Sequence, residues 1–171
     1  MSRSSVGSLS LRNFDIRTAS TYSAEGAVVV GVSGSSGSPV AVAWAYDLAQ
    51  RLNVPLVAVR AYRGPGAASS ALLGTRTLLE RSPANLAETA NRELITHVTK
   101  AIGEKAAQTV VYRVVEGERR SVLVDSSRNA ALLVIDSPPN RGLSADAPFS
   151  RTLLNHAQCP VVTMPPRVAG Y

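Results

Sequence analysis

Cysteine is almost missing from this chain, and its scarcity excludes several kinds of site. Cys159 is the single cysteine among 171 residues, so we expect no internal disulfide and no zinc or iron–sulfur site built from several cysteines. Long apolar runs are missing too, because none reaches the roughly 18 residues that a membrane-spanning helix needs. With 45% hydrophobic and only 18% charged residues, the sequence predicts a soluble globular protein large enough for one core.

Lysine and aromatic residues are also scarce. Lysine stands only at 100 and 105, and aromatic residues make up 5% of the chain, so arginine carries most of the net charge of +6. The largest basic cluster is the pair Arg119-Arg120. Nucleic-acid binding usually needs a clustered basic face or aromatic side chains that stack on bases. We therefore do not predict nucleic acid as a partner.

The first 25 residues lack any sustained apolar period and are rich in serine and threonine. They are predicted to be a flexible arm or an edge attachment, ahead of one domain at 26–166 and a short tail at 167–171. The arm contains arginines but no apolar stretch of the kind that a secretory signal has. We therefore expect a cytoplasmic location and no membrane association.

From residue 27 onward, short apolar runs alternate with helical patterns. Runs without polar alternation are typical of strands buried on both faces of a parallel sheet. Five runs qualify, at 27–32, 55–61, 109–115, 131–135 and 160–164. Helical patterns separate them, at 39–53, 83–102, about 122–130 and 149–157. This order predicts an α/β fold with a single doubly wound, five-stranded parallel sheet and right-handed crossovers.

Two loops are candidates for a ligand site. In doubly wound sheets, ligands bind at the carboxyl ends of the strands where the strand order reverses, which favours 33–38 and 136–148. The first loop has glycines at 31, 34 and 37 and leads into a helix that begins at Pro39. Glycine permits unusual backbone angles, and free N–H groups at a helix start favour anions. This is the layout of a nucleotide-binding turn.

The same segments resemble the universal stress protein family over residues 27–165. Residues 30–35 (VGVSGS) resemble the V-G-V-D-G-S of that family, and Trp44-Ala45 resembles a tryptophan–alanine pair in its first helix. Residues 116–118 (EGE) resemble its E-G-D, residues 131–135 (ALLVI) its D-L-L-V-V, and residues 156–162 (HAQCPVV) its H-A-P-C-P-V-V ending. The resemblance implies a flavodoxin-like, adenine nucleotide alpha hydrolase-like fold with strand order 3-2-1-4-5. It also implies a homodimer that pairs through the last strand: Pro160, Val161, Val162, Thr163 and Met164.

The chain departs from the family at the residues that would hold a nucleotide. Ser33 stands in place of the aspartate that holds adenine in nucleotide-binding members, and a serine is not an anionic acceptor. Of the family's later G-x-x-G-x(9)-G-[ST] motif, Asp136 and Pro139 replace the first two glycines. Proline has no N–H to offer a phosphate, and aspartate repels it. We therefore predict a non-catalytic, dimeric regulatory or interaction module of stress response, with an unidentified protein partner and without cofactor or tight ATP binding.

Other functions stay open at this point. The degenerate cleft could hold ATP, another adenine nucleotide or a small anion. Residues assigned to such a site are Gly31, Ser33, Gly34, Ser35, Arg141 and Ser150. Residues 33–38 also look somewhat like the S-G-G-x-D-S loop of ATP pyrophosphatases, with two members missing. The dinucleotide and nucleophile-elbow motifs are absent, and His97 and His156 are too far apart in sequence to suggest a metal site.

Overall fold

The computed structural model describes residues 14–16, 25–33, 39–64, 82–136 and 147–164. Strands and helices alternate through these ranges. The strands are β1 (Phe14–Ile16), β2 (Val28–Gly31), β3 (Leu56–Tyr62), β4 (Val111–Glu116), β5 (Leu132–Asp136) and β6 (Val161–Met164). The helices are α1 (Pro39–Leu52), α2 (Pro83–Ile102), α3 (Glu104–Ala107), α4 (Arg119–Ser126) and α5 (Ala147–His156).

All six strands form one parallel sheet in the order β1-β4-β3-β2-β5-β6. Strands β2 to β6 are the five that the sequence predicts, and their order corresponds to 3-2-1-4-5, so that prediction is confirmed. From β2 the chain proceeds to β3 and β4 on one side, and later from β5 to β6 on the other. The strand order therefore reverses between β2 and β5.

The sixth strand, β1, was not predicted as a strand. It lies at the edge of the sheet and pairs with β4 over three residues, with Asp15 opposite Arg113. A three-residue run such as FDI carries too short a pattern to be identified from sequence. Of the two alternatives for the first 25 residues, the structure shows an edge attachment at 14–16.

Helix ends follow the local chemistry of the chain. Helix α1 stops at Leu52 because Asn53 adopts a left-handed conformation, with φ of +52°, and Pro55 cannot continue a helix. Helix α2 begins as predicted, since Ser82 Oγ accepts a hydrogen bond from the Asn85 backbone N–H at 3.3 Å and Pro83 occupies the first helical position. It ends at Gly103, whose φ of +83° suits glycine. Ser38, the residue before α1, lies outside the described residues.

Alternate residues of the strands face two separate cores. One core, here called the α1 face, joins Val28, Val30 and Val134 of the sheet to α1 and α2. The other, the α4 face, joins Val29, Leu133 and Ile135 to α4 and α5. Strands β2 and β5 are thus covered on both sides, which explains their uninterrupted apolar sequence.

The apolar residues that recur at helical spacing along α1 are only partly buried. Ala41 and Ala45 lie in the core of the α1 face and Leu48 packs against it, whereas Leu52 is 51% exposed and Trp44 is 37% exposed. The two alanines let the helix backbone lie close to the sheet, and the larger side chains remain on its flank. Trp44 therefore contributes less to packing than its size and position in the sequence suggest.

Candidate functional site

The reversal of strand order brings the two candidate loops together. Gly31, the last residue of β2, lies opposite Ile135 in the parallel ladder, so Ser33 and Asp136 follow at the same edge of the sheet. Both residues are buried, with Ser33 8% and Asp136 4% exposed. The carboxyl ends of β2 and β5 thus form the switch point at which a doubly wound sheet binds its ligand.

Gly31 is explained by packing. A Cβ atom at this position would lie 2.8 Å from Cδ2 of Leu123, a fully buried residue of α4. Ordinary carbon contacts are about 3.5–4.0 Å, so any side chain at 31 displaces Leu123. The backbone of Gly31 is not in the left-handed region that favours glycine. The glycine that ends β2 is therefore required for the close approach of α4.

The other predicted ligand-binding residues are not brought into this arrangement by the described part of the chain. Gly34, Ser35 and Arg141 lie outside the described residues. Ser150 lies in α5, whose N-terminal turn packs through Phe149 against the core of the α4 face. Of the six predicted positions, only Gly31 and Ser33 are therefore placed at the switch point.

Asp136 changes the electrostatics of the switch point. It is the last residue of β5 and pairs in register with Met164 of β6. A carboxylate favours positive or hydrogen-donating groups and opposes the approach of anions, and burial strengthens both effects because nearby charges are less screened. The aspartate that the family resemblance places after β2 is thus replaced by Ser33. An acidic side chain, Asp136, lies at the end of the neighbouring strand β5 instead.

Polar groups further along the same edge have partners within the protein. Tyr62, at the end of β3, donates a hydrogen bond to Glu116 at the end of β4, and burial together with the Glu116 charge raises the pKa of the tyrosine. The Arg119 guanidinium at the start of α4 lies 4.5 Å from the centre of the Phe149 ring, a distance typical of a cation–π contact. These contacts tie β3 to β4 and α4 to α5.

The predicted dimer residues form the opposite edge of the sheet. Among the residues that the structure describes, strand β6 pairs with β5 alone, and Val161, Val162 and Met164 are half-buried while Thr163 is exposed. The Leu133 N–H donates to the Pro160 carbonyl oxygen at 2.9 Å. In a parallel ladder the backbone groups of successive residues point to alternate sides, so those of Val162 point to β5 and those of Val161 and Thr163 point outward.

A buried serine anchors the segment that precedes β6. Ser127 follows α4 and is fully buried. Its hydroxyl donates to the Val124 carbonyl oxygen at 2.6 Å and accepts from the Gln158 backbone N–H at 2.9 Å. The adjacent Cys159 is half-buried, and burial raises the pKa of its thiol. The residues around Ser127 do not predict its hydrogen bond with Gln158, because that partner lies 31 residues away.

A buried arginine on the α1 face was not predicted from the sequence. Arg60 of β3 has a side chain only 10% exposed, and its guanidinium forms an ion pair and hydrogen bond with Glu93 of α2. The one available signal is an arginine inside the apolar run PLVAVRA. His97, which lies one turn after Glu93, donates from Nδ1 to the Glu93 carbonyl oxygen at 2.6 Å.

Within the described ranges, no group of three or more histidine, cysteine, aspartate or glutamate residues could hold a metal ion. No helix in those ranges is long and apolar enough to cross a membrane.

Comparison with known proteins agrees with this architecture. The family model described as the universal stress protein family matches residues 26–165. A universal stress protein solved in complex with cAMP is 25% identical, with a TM-score of 0.55, over 84% of this chain and 99% of the other. UspA from Lactobacillus plantarum is 18% identical, with a TM-score of 0.57, over 82% of this chain and 98% of its own.

A protein of the same family from Burkholderia pseudomallei is 19% identical, with a TM-score of 0.53, over 85% of this chain and 99% of its own. None of the curated protein sequences is similar enough to this chain to count as a relative. The family match covers most of the chain and includes every strand from β2 to β6. The chain belongs to the universal stress protein family.

Proposed function

We propose that this protein is a non-catalytic, dimeric interaction module of stress response that does not bind ATP tightly. The observation that carries the proposal is the buried carboxylate of Asp136 at the switch point, where Ser33 offers no anionic acceptor. At about 5 Å and an effective dielectric constant of about 20, a like charge on a phosphate costs about 3 kcal/mol. That is a loss of about a hundredfold in affinity for each phosphate charge so placed.

The second candidate is a degenerate cleft that still holds an adenine nucleotide or a small anion. One observation favours it: the relative solved with cAMP is 25% identical and has the same fold. In this version Gly31, Ser33, Gly34 and Ser35 supply backbone and hydroxyl groups, and Arg141 and Ser150 contact the anion. The two candidates differ in whether the cleft binds a nucleotide or small anion despite the buried carboxylate of Asp136.

Calorimetric titration with ATP, ADP, AMP and cAMP separates the two candidates. We expect no binding by the wild-type chain at nucleotide concentrations of about 100 μM. Asp136→Asn keeps the shape of the side chain but removes its charge, and should improve affinity at least tenfold; Asp125→Asn on α4 is the matched control and should not. A micromolar Kd for the wild type, or no difference between the two variants, contradicts the proposal.

Dimerisation through β6 is the second part of the proposal. An edge strand with outward N–H and C=O groups is a template for a further strand, and two copies of one strand pair antiparallel about a two-fold axis. The outward groups of Val161 and Thr163 would make this pairing, while Val162 and Met164 of both copies would extend the apolar surface. The partner protein would then bind the dimer rather than the single chain.

A proline at position 163 tests the pairing without breaking the sheet. Thr163→Pro removes an outward N–H but leaves every bond to β5, whereas Thr163→Ala keeps the N–H and serves as control. In sedimentation velocity at tens of micromolar, we expect dimers for the wild type and Thr163→Ala and monomers for Thr163→Pro. Val162→Asp should also give monomers. A monomeric wild type would show that the β6 pairing is wrong.

A further inference from the structure

The edge opposite β6 is covered by a segment of this same chain. Strand β4 has β3 on one side and β1 on the other, and the β1 pairing runs over only three positions. Beyond β1 the described sheet has no further strand. The segment that closes this edge therefore depends on few backbone hydrogen bonds, and such short edge pairings open more readily than the centre of a sheet.

The register shows which backbone groups make the pairing. Gly117 N–H donates to the Tyr62 carbonyl oxygen at 2.9 Å, so in the alternating parallel ladder Arg113 and Val115 point their backbone groups to β3. Those of Tyr112 and Val114 then point to β1. Asp15 lies between these two in the ladder and is the residue of β1 whose own N–H and C=O face β4.

Residue types agree across the pairing. Phe14 and Ile16 lie opposite Tyr112 and Val114, the two β4 residues that belong to or pack against the core of the α1 face. Asp15 lies opposite Arg113, which is half-buried on the α4 face of the sheet. By register, the edge of β4 is therefore lined by a segment of apolar–acidic–apolar sequence.

We propose that the β4 edge is a strand-acceptor site, that residues 14–16 occupy it in the resting chain, and that its exchangeable ligand is an extended peptide of apolar–acidic–apolar pattern. Strand addition to an open sheet edge is a general way of binding peptides, in which main-chain bonds give affinity and alternate side chains give specificity. Here residues 14–16 of the chain itself compete with such a peptide for the site. The site is distinct from β6 and does not depend on dimerisation.

Amide hydrogen exchange in the full-length chain tests the release of β1. Asp15→Arg places a second arginine opposite Arg113 and should free the edge. The Val114 amide, which points to β1, should then exchange at least tenfold faster than in the wild type. The Val115 amide, which points to β3, should keep its rate and shows that the sheet is otherwise intact.

Peptide binding tests the acceptor site itself. A fluorescein-labelled peptide of residues 11–19 should bind the full-length Asp15→Arg chain at least tenfold more tightly than the wild type, whose site is occupied. The same peptide carrying Asp15→Arg should bind neither chain. Equal affinities for the two peptides, or equal Val114 exchange rates in the two chains, would overturn the proposal. These results are independent of nucleotide binding and of the oligomeric state.

Discussion

The helices on the two faces of the sheet contact it through side chains of different size. On the α1 face, small side chains hold α1 and α2 close to the strands. The buried helix alanines there include Ala41, Ala45, Ala49 and Ala90. On the α4 face, the large side chain of Leu123 fits against Gly31, where no Cβ interferes. Alanines are therefore frequent at the helix–sheet contacts of the α1 face, which also include Leu94 and Val98 of α2, whereas on the α4 face Leu123 fits against a glycine.

This difference explains why a glycine is needed at position 31 even though Ser33 and Asp136 do not match the residues of a nucleotide site. Gly31 belongs to the part of the sequence that most resembles a nucleotide-binding turn, yet its neighbour in the fold is Leu123. Ser33 and Asp136 can change the chemistry of the cleft without affecting that contact. The glycine at position 31 is thus explained by its packing against Leu123.

The polar contacts of the two faces also differ. The α1 face has the charged pair Arg60–Glu93, which joins a strand to a helix. The α4 face has the neutral Ser127 contact, which joins the end of α4 to the segment before β6. Five predictions test how much of the stability depends on each face.

The largest effect is expected for Leu123→Ala. Removing a fully buried leucine side chain leaves a cavity and costs about 3 kcal/mol in the free energy of unfolding. Urea unfolding measures this loss. Leu154→Ala on α5 is the control, because Leu154 is 58% exposed, and it should change stability by less than about 0.5 kcal/mol. Similar losses for both variants would mean that Leu123 is not a principal contact of the α4 face.

Gly31→Ala should destabilise the chain by about 2 kcal/mol, since the added methyl overlaps Leu123. Combining it with Leu123→Ala should relieve the overlap. The double variant is then expected to be at least about 1 kcal/mol more stable than the sum of the two losses predicts. Strict additivity would show that Gly31 is needed for some other reason, such as a bound ligand.

Glu93→Gln tests the charged pair of the α1 face. It removes the partner of a nearly buried guanidinium, and because Glu93 itself is half-exposed we expect a loss of about 1–2 kcal/mol. Glu88→Gln is the matched control on the same helix. Its partner Arg92 lies 3.1 Å away but both side chains are largely exposed, so the expected loss is under about 0.5 kcal/mol.

Ser127→Ala should cost about 1 kcal/mol, because the Gln158 N–H loses its acceptor in a partly buried position. Ser126→Ala is the control: the Ser126 hydroxyl donates only to the Val122 carbonyl oxygen one turn earlier. Hydrogen exchange should show faster exchange of the Gln158 amide in Ser127→Ala and an unchanged rate in Ser126→Ala. Equal protection in both variants would contradict the assigned contact.

The smallest effect concerns alkaline pH. Burial raises the pKa of Tyr112 to about 12 from its ordinary value of 10.0, so the unfolded chain ionises first. The contribution of Tyr112 to the free energy of unfolding is complete well below pH 10 and is lost as the pH rises toward 12. At pH 10.5 the loss should be just under 1 kcal/mol, on the order of 0.8, and Tyr112→Phe should not show it. Unfolding curves at pH 8 and 10.5 provide the measurement.

The sequence was sufficient for five of the six strands but not for every contact that holds the sheet. Uninterrupted apolar runs predicted β2 to β6, and a helical pattern at 83–102 predicted α2, because these signals are local. Arg60 and Ser127 could not be predicted, since their partners lie 33 and 31 residues away. The strand β1 was missed for a similar reason, because its pairing with β4 is specified by residues nearly a hundred positions later.

The position of the candidate site was predicted from the sequence, but the roles of its residues were not. The rule for doubly wound sheets correctly placed Ser33 and Asp136 at one edge, as neighbours after β2 and β5. The packing role of Gly31 depends on Leu123, far along the chain, and therefore needed the fold. Three of the predicted contact residues lie outside the described part of the chain, so their role stays a prediction.

The reactivity of the Cys159 thiol reports on the β6 end of the sheet. Cys159 is the single cysteine, it stands directly before the edge strand β6, and burial keeps more of it in the unreactive protonated form. Cys159 is nevertheless partly exposed, so an external reagent should alkylate it slowly in the folded chain. Movement of the segment held by Ser127 away from the sheet should speed that reaction, and its rate then reports on opening of the β6 end.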